Sequence, residues 1–255
     1  MEPYIIRVAS QKGGVGKTTI STNLAVCLKD FGYKVLLVDC DTTNPSIGFH
    51  LGMEKSNIGY KQLVKGTSKL SELCSVHAPT GICVIPGSIN SKPFVITEAE
   101  ARRVIKNLKA SNYDFVILDT QPGYYIQTAV NEIDETLLIT TPDMPSCSSI
   151  LRSVKLLDEQ NAKHNLIINR VKGKNYEISK REIEETYEGK IVGALPESDI
   201  VPESIAEHIP AYALSRNDKF SKGIFLSSRF YKKSTSPGEV PSTKRSFWSR
   251  IFRRR

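Results

Sequence analysis

Short runs of consecutive apolar residues alternate along this chain with stretches in which apolar residues recur every three or four positions. The runs Tyr4–Ala9, Lys34–Asp39, Ile82–Pro86, Phe115–Asp119, Glu135–Thr140, Asn165–Asn169 and Lys190–Gly193 read as strands. Most are apolar throughout, as strands buried on both faces of a parallel sheet are. Helices are expected at residues 17–31, 97–110, 147–160, 179–187, 199–208 and 217–230. The fourth opens with Ser179 and has Glu182 three residues on, a capping box. The alternation predicts an α/β fold, a mostly parallel central β-sheet with helices on both faces.

Chemistry enters at the first strand-to-helix junction, Lys12-Gly13-Gly14-Val15-Gly16-Lys17-Thr18-Thr19, which opens a long stretch read as amphipathic. Glycines at 13, 14 and 16 let the backbone curl until several N–H groups point at one anion, and the helix adds its positive N-terminal end. Lys17 is placed to reach the β- and γ-phosphates of a nucleotide, and Thr18 to ligate Mg²⁺. The general phosphate-loop pattern wants glycine where Gln11 stands, and a second lysine, Lys12, stands beside it.

In open parallel sheets the ligand sits beyond the carboxyl ends of the strands. Two strands end there in aspartate: Asp39, with Asp41 in the loop beyond, and Asp119, followed by Thr120-Gln121-Pro122-Gly123. Carboxylates so placed hold Mg²⁺ directly or through water, or orient an attacking water. Thr18, Asp39 and Asp119 are therefore the candidate metal residues.

The run KGGVGKTT resembles the deviant Walker-A motif of the MinD/ParA family of ATPases, and the resemblance spans about residues 4–215. It implies a P-loop NTPase fold, ATP and Mg²⁺ as cofactors, and ATP hydrolysis. In that family the first lysine crosses a dimer interface to the partner's ATP, so Lys12 would couple nucleotide state to homodimerisation. Asp39 and Asp41 match switch I, in which the second aspartate positions the hydrolytic water, and Asp119 matches the Walker-B aspartate of switch II. Lys12, Lys17 and Asp41 are the implied catalytic residues; Gly13, Gly14, Val15, Gly16, Lys17, Thr18 and Thr19 would line the phosphates. Ile167–Val171 and Gly193–Glu197 resemble the two adenine-contacting segments, which points to Asn169, Arg170, Pro196 and Glu197. The chain departs from the MinD switch II pattern D-x-P-A-G with Asp-Thr-Gln-Pro-Gly, and its Asn44-Pro45-Ser46-Ile47 is similar to the iron–sulfur carrier branch of the superfamily. Both switches face the partner protein, so these departures bear on its identity.

Composition changes the picture at one end only. The 255-residue chain carries a net charge of +8, yet residues 1–228 are balanced, and residues 229–255 hold nine Lys or Arg against the single acid Glu239. The basic excess belongs to an appendage and calls for an acidic partner. Residues 231–243, rich in hydroxyls with two prolines and a glycine, read as a flexible linker after an ATPase domain at 1–230. On a helix wheel of residues 244–255, Phe247, Trp248, Ile251 and Phe252 share an arc of about 140°, with Arg250, Arg253 and Arg254 mostly opposite. That is an amphipathic helix for a membrane interface, and it resembles the membrane-targeting C-terminal helix of MinD proteins. Its apolar face yields roughly 6–12 kcal/mol gross, and ordering the segment takes back on the order of 10 kcal/mol. One copy binds anionic lipid weakly; two copies on a dimer gain avidity.

Five scattered cysteines without CxxC spacing read as reduced core thiols, and four scattered histidines as surface or loop residues. With no signal peptide and no run long enough to span a bilayer, the expected place is the cytoplasm and the inner face of the cell membrane. The leading reading is a MinD-like ATPase whose dimerisation controls membrane residence and recruits or positions a protein partner, as in division-site placement, with slow hydrolysis in isolation. The alternatives are a ParA-like ATPase binding non-specific DNA and an iron–sulfur or metal-insertion carrier.

Overall fold

The computed structural model describes residues 2–55, 58–87, 92–123 and 129–234. Eight strands form one sheet: β1 (Tyr4–Ala9), β2 (Val35–Asp39), β3 (Ser75–Val76), β4 (Cys83–Ile85), β5 (Phe115–Asp119), β6 (Glu135–Thr140), β7 (His164–Val171) and β8 (Lys190–Pro196). Their order is β3-β4-β2-β5-β1-β6-β7-β8, and all neighbours are parallel except the β3–β4 pair. All seven expected strands are present. The extra one, β3, has two residues and pairs at the sheet edge, too short for any periodicity to announce it.

The helices are α1 (Lys17–Asp30), α2 (Ile47–His50), α3 (Tyr60–Lys65), α4 (Leu70–Leu73), α5 (Glu98–Lys109), α6 (Met144–Asp158), α7 (Lys180–Thr186), α8 (Ile200–Ala206), α9 (Ala211–Leu214) and α10 (Lys219–Ser234). The four short ones, α2, α3, α4 and α9, fall below the length at which a 3.6-residue repeat is legible. Alternate residues of each strand feed opposite faces. Ile6 and Val8 pack with α1, α9 and α10, whereas Ile5 packs toward α3 and α5, and Ala9 toward α6 and α7. Helices thus cover both faces.

Three expectations need correction. The stretch read as amphipathic, α1, is buried from Thr19 through Leu28, because the sheet lies on one side and α9 and α10 close the other. Helix α6 starts at Met144 rather than 147, since Asp143 caps it by accepting from the Ser146 N–H at 2.9 Å and Pro145 fits the first turn. The expected linker does not begin at Tyr231. Helix α10 continues through Ser234, and the fully buried Tyr231 donates its hydroxyl to Glu135 Oε1 at 2.8 Å. The rest of that linker and the helix expected at 244–255 lie outside the described residues.

The histidines also differ from a surface set. His77 is buried between Thr80 and the His208 carbonyl, and both ring nitrogens of His164 are engaged, by Tyr187 and Asp158. Among the described residues no helix is long and apolar enough to cross a membrane.

Candidate nucleotide site

The carboxyl ends of β1, β5 and β7 meet the N-terminus of α1, with the end of β2 beside β5 and that of β8 beside β7. After Ala9 the chain winds through residues 10–16, helped by two left-handed glycines, Gly14 at φ 75° and Gly16 at φ 99°. Gly16 is the N-cap of α1. A β-carbon there would run into the amide nitrogen of Asn169, which donates to the Val15 carbonyl at 2.8 Å. The end of β7 therefore braces the loop. From the other side, Ser10 Oγ donates to the Lys12 carbonyl at 2.6 Å and accepts from Lys17 Nζ at 3.1 Å. Burial lowers the Lys17 ammonium from its ordinary value, opposed by the charges of Asp119 and Asp41. A buried cation beside a glycine loop at a helix N-terminus is a cradle for polyphosphate.

Strands β2 and β5 run in register with Asp39 opposite Asp119, at 0% and 2% exposure. The two carboxylates then part. Asp119 Oδ2 accepts from Thr18 Oγ1 at 2.6 Å and Oδ1 from Ser21 Oγ at 3.0 Å. Its burial pushes the carboxyl up to about 6, against the pull of Thr18, Lys17 and Ser21. Asp39, the other candidate metal residue, is engaged by backbone. Its Oδ1 accepts from the Asp41 N–H at 3.1 Å and its Oδ2 from the Ile47 N–H at 3.0 Å, so it braces the loop after β2. Burial and the facing Asp119 push its carboxyl well above the usual range.

Asp41 is half-buried, and its Oδ1 accepts from the backbone of Thr43 and Asn44 at 2.9 and 2.8 Å and from Thr43 Oγ1 at 2.8 Å. This Asx-type turn locks the carboxylate at the loop tip. Gln121 Oε1 accepts from the Thr42 hydroxyl at 3.4 Å. Gln121, one of two residues that depart from the MinD switch II pattern, thus joins the loop after β5 to the loop after β2.

The ends of β7 and β8 are brought side by side, with Val171 paired to Pro196 and the Glu197 N–H donating to the Val171 carbonyl at 3.0 Å. Arg170 is exposed, with φ 58°, and Glu197 pairs with Lys172 at 3.1 Å. Lys12 is engaged at the head of α6. Its Nζ lies 3.3 Å from Ser146 Oγ and 3.5 Å from Asp143 Oδ1, and its side chain is 44% exposed. The sequence reading missed Ser10, Ser21, Ser46, Asp143 and Ser146. Ser21 alone carried a signal, lying one turn after Thr18 on the same helix face.

The oxygens gathered at Asp119 and Thr18, with Ser46 Oγ 2.9 Å from Thr18 Oγ1, are hard donors of the kind Mg²⁺ prefers. The residues present fit that cation and a nucleotide polyphosphate.

Residues 6–211 match the model of the CobQ/CobB/MinD/ParA nucleotide-binding domain. The chain belongs to the MinD/ParA family of ATPases. It is similar to an ATP-binding protein of Methanocaldococcus jannaschii, 29% identical over 86% of this chain and 84% of that one. It is similar as well to the septum site-determining protein MinD of Thermotoga maritima, 30% identical over 86% and 84%. Among solved structures, the MinD of Pyrococcus horikoshii, complexed with Mg-ADP, superposes with a TM-score of 0.83 at 25% identity, covering 91% of this chain and 97% of that one.

This MinD/ParA-family member is an ATP hydrolase that works with Mg²⁺. Thr18 and Asp119 would hold the cation, which would supply positive charge against the phosphates. The chain's own groups do the rest. The N–H groups of residues 13–19 would orient the phosphates. Lys17, already desolvated, would supply a positive charge that needs no rearrangement from water.

Proposed function

We propose that this ATPase is a nucleotide-timed switch for peripheral membrane residence. The observation that carries the reading is the position of Lys12. It belongs to the phosphate loop by sequence, yet it is held half-exposed on Asp143 and Ser146, beside Met144 at 70% exposure. A cation presented outward next to apolar surface suits a second copy of the chain whose nucleotide it would reach. Thr18 and Asp119 would hold Mg²⁺, Asp41 would orient the attacking water, and Asn169, Arg170, Pro196 and Glu197 would flank the adenine.

ATP bridged by Lys12 stabilises a dimer, the dimer presents two basic aromatic tails, and anionic lipid retains it. Hydrolysis removes the γ-phosphate contact and releases monomers into the cytoplasm. Dimers at the membrane recruit a protein partner, whose binding across the switch loops stimulates turnover.

Sedimentation with anionic and neutral liposomes tests the switch, comparing ATP, ADP and no nucleotide for the full chain and for a chain ending at Thr243. ATP-dependent pelleting with anionic lipid, lost on truncation, is expected. Indifference to lipid in every state would sink the membrane reading, and salt-sensitive DNA binding would replace it with a DNA-segregation role.

A further inference from the structure

Ser46 stands at the N-cap of α2, where a serine ordinarily turns its hydroxyl back onto the first helical N–H groups. Here it makes no such bond. Its Oγ lies instead 2.9 Å from Thr18 Oγ1 across the site. Thr18 Oγ1 donates to Asp119 Oδ2 at 2.6 Å, so its single proton is spent there and Ser46 is the donor in the first bond. Three oxygens from three separate elements, α1, the end of β5 and the loop after β2, thus form one chain.

The placement of Ser46 is built from several sides. The Ile47 N–H is fixed on Asp39 Oδ2 at 3.0 Å, and the Ile47 side chain is fully buried. Pro45 packs where a β-carbon at Gly87 would have to sit. The far end of α2 is tied down by a hydrogen bond between His208 Nδ1 and the Phe49 carbonyl at 2.8 Å. The buried Asp39 therefore acts on the site through Ser46: it holds the residue whose hydroxyl reaches Thr18.

We propose that Ser46 is a third protein oxygen serving the cation, supplied by the switch I loop. A small hard dication demands near-octahedral oxygen donors and keeps few protein ligands, so a hydroxyl fixed beside Thr18 and Asp119 is chemically suited to it, directly or through one bound water. The consequence is a mechanical link. Cation and phosphates hold Ser46, Ser46 heads α2, and Asp41 lies five positions earlier in the same loop. Ser46 would serve the cation whether or not the tail binds lipid.

The test is ADP binding by the full-length protein, titrated with Mg²⁺, with Cd²⁺ or in EDTA, and read by calorimetry rather than turnover. Ser46→Ala is expected to weaken the Mg²⁺ response roughly ten- to a hundredfold while ADP affinity in EDTA stays as in the wild type. Ser46→Thr, which keeps the hydroxyl, should retain the response. Ser46→Cys should respond poorly to Mg²⁺ and recover with thiophilic Cd²⁺, beyond any Cd²⁺ effect on the wild type. An unchanged Mg²⁺ titration in Ser46→Ala would overturn the assignment. So would an equal loss with and without Mg²⁺, which marks a purely structural bond, or a Ser46→Cys protein with the wild-type metal preference.

Discussion

The amide of Asn169 occupies the space that a β-carbon on Gly16 would need, and donates to the Val15 carbonyl at 2.8 Å. Strand β7 and the phosphate loop are 154 residues apart in sequence at this bond. It makes the glycine at 16 a packing requirement as well as a conformational one.

Gly16→Ala should therefore fail twice. The left-handed φ of 99° strains alanine, and the new methyl group displaces Asn169. A loss of about 2–4 kcal/mol is expected, together with loss of ADP binding. Thermal melts and an ADP titration check it; a variant that melts with the wild type and binds ADP would show that neither constraint operates.

Lys12→Ala should leave the fold alone. Its ion pair with Asp143 is half-exposed on both sides, and such pairs contribute under about 1 kcal/mol. The variant is expected to melt within about 1 kcal/mol of the wild type yet remain monomeric in ATP by sedimentation velocity. ATP-dependent dimers of wild-type affinity would refute the outward role of this lysine.

A truncation placed at the expected domain boundary, after Phe230, should be poorly folded, whereas one after Ser234 should not. Glu135 is fully buried and receives the hydroxyls of Tyr4 and Tyr231 at 3.0 and 2.8 Å and the Lys163 ammonium at 3.1 Å. Even Tyr231→Phe, which removes one donor, should cost about 1–3 kcal/mol. Urea unfolding of the three proteins measures the difference.

Stability should fall on acidification through His50. Its ring is desolvated, which lowers its pKa to about 4, while the unfolded chain titrates near 6.5. The unfolded state thus binds more protons between these values. The contribution is complete above about pH 6.5 and is lost as pH falls toward 4. His50→Gln should lose about 2 kcal/mol less than the wild type between pH 7 and 4.5. Parallel urea curves at the two pH values for both proteins would contradict this.

The phosphate loop was legible because its chemistry is local. Glycines that free the backbone, a lysine and a threonine must sit at fixed offsets in one turn, so eight adjacent letters announce them. The strands were legible because burial on both faces demands unbroken apolar runs. Where partners lie far apart in sequence, local pattern is silent. Asp39 and Asp119 looked alike as strand-end carboxylates, and only their surroundings separate them: backbone N–H groups of its own loop around one, hydroxyls of α1 around the other.

The same division explains Tyr231 and Ser46. A tyrosine before a run of lysines and serines resembles the start of a linker until Glu135, 96 residues away, is seen to accept its hydroxyl. A serine before a four-residue helix looks like an ordinary cap until Thr18 is found across from it. By itself, the sequence determined the α/β alternation, the nucleotide loop, the carboxylates at the strand ends and the basic character of the tail, since each depends on neighbours within a few residues. Tertiary structure alone decided which aspartate faces the hydroxyls, what Lys12 pairs with and that Tyr231 belongs to the core, because those outcomes depend on groups that meet only when distant strands pair.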